Sequence, residues 1–153
     1  MNAQASAPEQ EFSPLVDDQL CFALYAASRA VTARYRPFLE PLGLTYPQYL
    51  VLLVLWQDDT VAIKDIGAAL HLDYGTLTPL IKRLEGAGLV RRERRPDDER
   101  TVLVTLTDQG RDLHTRARGI PAAMGSAMGL TPSQFDQART LLRLLSTNVS
   151  APE

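Results

Sequence analysis

Apolar residues recur at helical spacing through the first part of the chain. The segment from Leu20 to Leu39 carries an apolar stripe and predicts a long amphipathic helix that ends near Gly43. Ser13-Pro14 predicts that helical structure starts ahead of this segment, because a capping hydroxyl precedes a proline at the first helical position. Residues 1–12 show no periodic apolar pattern and are predicted to form a disordered tail.

Three more helices are predicted, joined by short connections. Thr45-Tyr46-Pro47-Gln48 predicts a capping box for a second helix, and its body from Leu50 to Trp56 is apolar all round and predicted to be buried. A short third helix covers Ile63 to Leu70. The fourth helix starts either at an Asp73 cap or at Thr78-Pro79. If Asp73 is the cap, the proline lies inside the helix and removes one backbone hydrogen bond.

The pattern then changes from helical spacing to alternation. Leu89 to Arg94 and Thr101 to Leu106 alternate as strands do, and the polar segment between them predicts a hairpin loop. Helix returns after Thr107, and Thr131-Pro132-Ser133-Gln134 caps a last helix that ends near Asn148. A helix-turn-helix followed directly by a β-hairpin is the winged-helix arrangement. The predicted fold class is therefore mainly α with a small β-hairpin, and a generic helical domain with an accessory hairpin is the alternative.

Length and composition narrow the possible functions. A chain of 153 residues with 45% hydrophobic residues predicts one domain with its own core. A single cysteine and two isolated histidines argue against a disulfide framework, a metal centre or any cofactor. The longest apolar run is too short to span a bilayer, and the acidic N-terminus does not resemble a secretory signal. We therefore expect a cytoplasmic protein without a membrane partner.

The net charge of −2 argues weakly against nucleic acid, but the charges are unevenly placed. From Thr76 to Arg100 seven basic residues stand against five acidic ones, whereas residues 1–20 carry four acids and no base. Hydroxyls and long donors on the fourth helix suit base edges and phosphates, and Arg100 suits a minor groove. Asp98 is expected either to pair with Arg100 or to hold the loop backbone. The predicted DNA contacts are Gly75, Thr76, Thr78, Pro79, Lys82, Arg83, Arg92, Arg94, Asp98 and Arg100.

These segments together resemble the MarR family of winged-helix repressors over about residues 14–148. Within that family the chain is most similar to the organic-hydroperoxide-sensing branch (OhrR type), on the segments 18–25, 35–37, 44–49, 75–80 and 97–100. The resemblance implies a homodimer on double-stranded operator DNA. Its single domain, residues 13–150, would place dimerisation helices at 13–59 and 107–150 and the DNA-binding region at 60–106. Tyr74 departs from the small residue expected there, and its ring is expected to alter phosphate contacts or operator preference.

Cys21 is the candidate sensing residue, although free cysteines usually act as small buried hydrophobes. Tyr25 lies one helical turn further on and can approach the sulfur. Tyr35 lies about 21 Å along a straight helix, so only an antiparallel partner chain can bring it to Cys21. The resemblance implies the same for Tyr46. A phenol that donates to sulfur favours the thiolate, which attacks peroxides. Since the chain has no second cysteine, a mixed disulfide with a small cellular thiol or further oxidation would follow.

Three functions remain open at this point. The first is a dimeric repressor that organic hydroperoxides switch off through Cys21, and it is not an enzyme. The second keeps the DNA-binding fold but responds to a small aromatic ligand, with Cys21 merely packed. The third is a one-cysteine thiol peroxidase without a DNA role, in which the arginine-rich wing is incidental.

Overall fold

A computed structural model describes residues 13–151, so the tail predicted for residues 1–12 lies outside the described residues. The described chain contains seven α-helices and three strands, with short 3-10 helices at Val16–Asp18 and Glu40–Leu42. The structure divides inside the first helix, between Ala33 and Arg34, into two units. In chain order the elements are α1 (Leu20–Leu39), α2 (Tyr46–Asp58), β1 (Thr60–Ala62), α3 (Ile63–Leu70), α4 (Tyr74–Gly86), β2 (Val90–Arg95), β3 (Asp98–Leu106), α5 (Asp108–Ala117), α6 (Ile120–Met128) and α7 (Pro132–Ser150).

The first unit shows that the predicted helix start at Ser13-Pro14 was wrong. The Ser13 hydroxyl accepts the backbone N–H of Leu15, only two residues on, at 3.3 Å, so it forms a tight turn instead of a helix cap. The 3-10 helix follows, and α1 begins only at Leu20. Every side chain from Leu20 to Ala30 is exposed.

Local capping signals place the starts of α2 and α4. Thr45 forms the predicted capping box, because its hydroxyl accepts the N–H of Gln48 while the Gln48 side chain accepts the N–H of Thr45. Asp73 caps α4 through the N–H of Thr76 at 2.7 Å, so Pro79 lies inside the helix. The left-handed Gly43 ends the turn that precedes α2.

The core of the second unit lies between α2, α3, α4 and the sheet. The all-round burial predicted for α2 is confirmed on one face only: Val51, Leu52 and Leu55 are fully buried, whereas Leu53 and Val54 are half-buried. Across from them, Ile66, Ile81, Leu84 and Val104 are also fully buried. In α7, by contrast, no residue is buried.

The sheet has three antiparallel strands in the order β1-β3-β2, not the two predicted. The unpredicted β1 has only three residues and pairs with β3 through Val61 and Val104. The predicted six-residue loop of the hairpin was also too long. Arg95 pairs with Asp98 across a two-residue turn, because the charged residues after the turn belong to β3.

Taken one at a time, the helices within residues 13–151 all lack the length or the hydropathy that a membrane span requires. Among the described residues, one pair of successive helices, Leu20–Leu42 and Tyr46–Asp58, would satisfy the length and hydropathy requirement if counted as one span, and the two helices are bent relative to each other.

Candidate functional site

The outer face of α4 carries five of the ten residues predicted to contact DNA. Gly75, Thr76, Pro79, Lys82 and Arg83 are exposed on this helix. Leucine and isoleucine side chains on the opposite face are buried and hold it against the core: Leu77, Leu80, Ile81 and Leu84. The structure therefore presents five of the predicted positions on one accessible surface.

Thr78 does not lie on the exposed side with the other predicted residues of α4. The residue is half-buried, and its hydroxyl oxygen is buried without a hydrogen-bond partner among the described residues. A hydroxyl in that position faces the protein interior.

In the wing, Asp98 holds the turn backbone and does not pair with Arg100. Its carboxylate accepts the hydroxyl of Thr101 at 2.7 Å and the N–H of Arg100 at 3.1 Å. These two hydrogen bonds lower the pKa of Asp98. Arg100 is exposed and has no acidic partner among the described residues, so its guanidinium is available to a ligand.

Arg92 was also predicted to contact DNA, but the structure gives it a partner inside the protein. Two nitrogens of its guanidinium lie 2.8 and 2.9 Å from the Glu85 carboxylate, and its backbone N–H donates to the same carboxylate at 3.0 Å. The side-chain and backbone hydrogen bonds from Arg92 together lower the pKa of Glu85. The pair links the last turn of α4 to β2. It could not be predicted from the sequence, because the two residues meet only when the turn between α4 and β2 is formed.

The remaining wing arginines differ in how free they are. Arg91 pairs with Glu93 at 3.1 Å, and Arg95 pairs with Asp97 at 2.8 Å. Arg94 makes a long hydrogen bond of 3.4 Å to the carbonyl of Glu99 and keeps its charge uncompensated in the described residues. Lys82, Arg83, Arg94 and Arg100 therefore have no ion-pair partner among the described residues. Asp98 and Glu99 also lack one there, so these six residues carry the local excess of two positive charges.

Cys21 lies on the exposed part of α1 as a free thiol. The predicted neighbour Tyr25 is engaged elsewhere: its hydroxyl accepts from Arg29 at 3.4 Å, and the Arg29 guanidinium lies 5.5 Å from the centre of its ring. Within the described residues, therefore, Tyr25 makes no hydrogen bond to the sulfur.

The structure brings the other two predicted tyrosines together in the second unit. The ring centres of Tyr35 and Tyr46 lie 4.4 Å apart, and Tyr49, which sequence reasoning missed, lies 5.8 Å from Tyr35. Burial raises the pKa of Tyr35 to about 12, and the neighbouring phenols add to the shift. Tyr35 therefore keeps its proton at neutral pH and can act as a hydrogen-bond donor. The signal for Tyr49 was its spacing, three residues after Tyr46 on the same helix.

The chain is similar in sequence to known transcriptional regulators. The family model for the transcriptional regulator SarA/Rot matches residues 34–116. The chain is 46% identical over 132 residues to the organic hydroperoxide resistance transcriptional regulator of Bacillus subtilis, covering 86% of this chain and 88% of that protein. It is 50% identical over 132 residues to the HTH-type transcriptional regulator TtmR of Methylorubrum extorquens, covering 86% of this chain and 66% of that protein.

Solved structures of DNA-binding regulators also superpose on most of the chain. Reduced AbfR of Staphylococcus epidermidis bound to DNA superposes with a TM-score of 0.74 and 36% identity, over 88% of this chain and 92% of that one. BpsR of Bordetella bronchiseptica, whose DNA binding is regulated by 6-hydroxynicotinic acid, superposes with a TM-score of 0.75 and 28% identity. That match covers 84% of this chain and 99% of BpsR.

Proposed function

Because this chain belongs to the MarR family of winged-helix transcriptional regulators, we propose that it is a homodimeric repressor that organic hydroperoxides release from its operator by oxidising Cys21. The chain is a DNA-binding regulator of transcription, and its relatives are regulators and not enzymes. The observation that supports sensing through Cys21 is the contact between Tyr35 and Tyr46, two phenols predicted to donate hydrogen bonds to the cysteine sulfur. The repressor would act in the cytoplasm, where the operator and a reducing thiol pool are found.

The exposed apolar side chains of the terminal helices support a dimer. On α1, Leu20 and Phe22 are exposed, and on α7 Leu141, Leu142 and Leu144 are exposed. Apolar surface of this extent is removed from water when two copies associate. A twofold axis that pairs α1 helices antiparallel brings the phenols of one subunit toward the thiol of the other.

In the proposed sensing step the Cys21 thiolate attacks the distal peroxide oxygen. An S–O bond forms as the O–O bond breaks, and the leaving alkoxide takes a proton and departs as an alcohol. The sulfenic acid then condenses with a small cellular thiol, giving a mixed disulfide and one water molecule. The added bulk at the subunit interface changes the separation of the two α4 helices, so that they no longer fit successive major grooves.

In the DNA-bound state we propose that α4 enters the major groove and the wing follows the backbone into the minor groove. Gly75, Thr76 and Pro79 would lie at the leading end of the helix, with Lys82 and Arg83 behind them. In the wing, Arg94 and Arg100 would face phosphate and minor groove. Asp98 would set the turn, Arg92 would fix the wing to α4, and Thr78 would support the helix from within.

A gel-shift titration with operator DNA tests the proposal. Reduced wild-type protein and a Cys21→Ser variant should bind equally well, because serine keeps the size of the side chain. Cumene hydroperoxide plus a small thiol should release the wild type only. If the Cys21→Ser variant also releases DNA after peroxide, sensing through Cys21 is wrong.

The second candidate function is a repressor of the same fold that a small aromatic ligand controls. The similarity to BpsR, which 6-hydroxynicotinic acid regulates, favours it. In this case alkylation of Cys21 should leave both operator affinity and the response to an aromatic acid unchanged. Under the first proposal, alkylation should abolish the response to peroxide.

A further inference from the structure

Tyr74 is an exposed aromatic residue that the proposed dimer does not account for. Its side chain is 63% exposed. The other large apolar side chains exposed among the described residues all lie at or before Tyr25 or at or after Leu130, on or beside the terminal helices. A solitary exposed ring on the DNA-binding region therefore needs a separate explanation.

Tyr74 forms one wall of a groove of about 370 Å³ between α3 and the start of α4. The floor is apolar and includes Gly67, where an added Cβ would lie 2.9 Å from the carbonyl oxygen of Leu72. Glycine thus permits the tight approach of α3 to the following turn. His71, in the left-handed conformation, and Lys64 complete the polar rim.

The rim side chains have no hydrogen-bond or ion-pair partner of their own among the described residues, and Lys64 and Tyr74 are exposed. Two acids lie close by in the sequence, Asp65 and Asp73. The carboxylate of Asp73 is occupied by backbone N–H groups of α4, chiefly that of Thr76, which lower its pKa. The groove offers an anionic ligand one lysine, Lys64, beside the exposed Asp65, so it suits a single anionic group and not an extended acidic surface.

We propose that this groove seats the sugar–phosphate backbone of the operator strand beside the major groove that α4 enters. The inference rests on the DNA-binding function above, since the groove is continuous with the exposed face of α4. In a helix-turn-helix the first helix crosses the backbone while the second reads bases. Lys64 neutralises one phosphate, and the Tyr74 hydroxyl donates to a phosphate oxygen while its ring packs against deoxyribose. Tyr74 and Lys64 thus position the protein along the DNA without contacting the bases.

Salt-dependent binding of Lys64→Ala and Tyr74→Ala to the operator and to a scrambled duplex tests the proposal. Loss of one phosphate contact reduces the slope of log K against log salt by about 0.9, which we expect for Lys64→Ala. Tyr74→Ala should weaken both duplexes equally, by roughly 2- to 10-fold for a lost hydrogen bond. Arg118→Ala, an exposed cation after α5, is the matched control and should leave slope and affinity unchanged.

Two results overturn the inference. One is an unchanged slope for Lys64→Ala together with an unchanged affinity for Tyr74→Ala, which leaves the operator-binding function standing because wild-type protein is titrated in the same series. The other is a loss by Tyr74→Ala confined to the operator, because that residue would then read bases. Both positions are exposed, so circular dichroism melting should match the wild type and exclude unfolding as the cause.

Discussion

At Gly110 the backbone of α5 meets the chain just before the wing. An added Cβ would collide with the carbonyl oxygen of Leu89 and lie 3.0 Å from Leu106. The Gly110 carbonyl also accepts the indole N–H of Trp56 at 2.9 Å, so the backbone has little freedom to withdraw. Glycine is required here by space and not by its φ angle.

Gly110→Ala should therefore destabilise the fold by about 3 kcal/mol through overpacking against backbone. Gly125, inside α6, provides the matched control because nothing lies within 4 Å of a Cβ built there. Gly125→Ala should stabilise the protein by about 0.5–1 kcal/mol, since alanine favours helix over glycine. Urea unfolding of both variants measures the difference, and equal stabilities would show that the backbone relaxes at Gly110.

Asp59 is a non-glycine residue with a φ of +58° between α2 and β1. Arg111 holds it with two hydrogen bonds of 2.6 and 2.8 Å, and also contacts Asp108 at 2.8 Å. The hydrogen bonds from Arg111 are the main reason why the pKa of Asp59 lies below its ordinary value of 3.8. This interaction links the end of α2 to the first turn of α5.

A carboxylate with a lowered pKa stabilises the fold above its ordinary pKa, and the stabilisation is lost as the pH falls through the lowered value. The wild type should therefore lose more stability between about pH 5 and pH 3 than Arg111→Gln, in which the pair is absent. Urea midpoints at the two pH values give this comparison. Parallel losses in both proteins would mean that Asp59 does not contribute to the acid dependence.

The wing is an element whose shape depends on one carboxylate. Asp98→Ala removes the acceptor for the Arg100 N–H and the Thr101 hydroxyl, which frees the turn. It also removes a negative charge near DNA, which by electrostatics alone strengthens binding. We expect weaker operator binding all the same, by about 3- to 10-fold, because the Arg100 guanidinium is no longer positioned.

Asp98→Asn is the control for this prediction, because it removes the same charge but retains an acceptor oxygen. It should bind at least as tightly as the wild type in fluorescence anisotropy at fixed salt. Stronger binding by both variants would show that charge, and not the geometry of the turn, governs this part of the wing.

The elements differ in how far the sequence predicts them. The capping residues Thr45, Asp73 and Thr131 each act through a local hydrogen bond, so the starts of α2, α4 and α7 follow from a few neighbouring residues. The strand β1 does not, because three residues carry no alternation and become a strand only by pairing with β3. The same holds for Glu85 and Arg92, whose contact depends on tertiary packing.

The residues of the candidate site also differ in how far the sequence predicts them. The exposed positions of α4 follow from helical periodicity. Tyr35 and Tyr46 were each predicted to approach the cysteine of a partner chain, but their contact with one another was not predicted. The hydroxyl of Thr78 and the guanidinium of Arg92 face protein groups that a single sequence does not reveal. The sequence predicts which residues are able to bind DNA, but not which groups each side chain contacts in the folded protein.

At the scale of the whole molecule, the exposed apolar face of α7 carries the proposed association. Leu141→Glu places a charge on a side chain that is 63% exposed in the single chain. Sedimentation velocity should show a shift from dimer to monomer, because burying an unpaired carboxylate at an interface is costly. Thr140→Glu, on a neighbouring exposed position, should remain dimeric. Two variants with the same dimer fraction would place the interface elsewhere.

Trp56 is the only tryptophan in the chain. Its indole stacks on the imidazole of His114 in α5, with ring centres 4.9 Å apart and ring planes inclined by 17°. The protein therefore carries a built-in fluorophore at the junction of α2 and α5. Its emission reports on that junction alone, without labels or added dyes. A movement of α2 relative to α5 on peroxide treatment or DNA binding should therefore change the Trp56 fluorescence, which stopped-flow mixing can follow in real time.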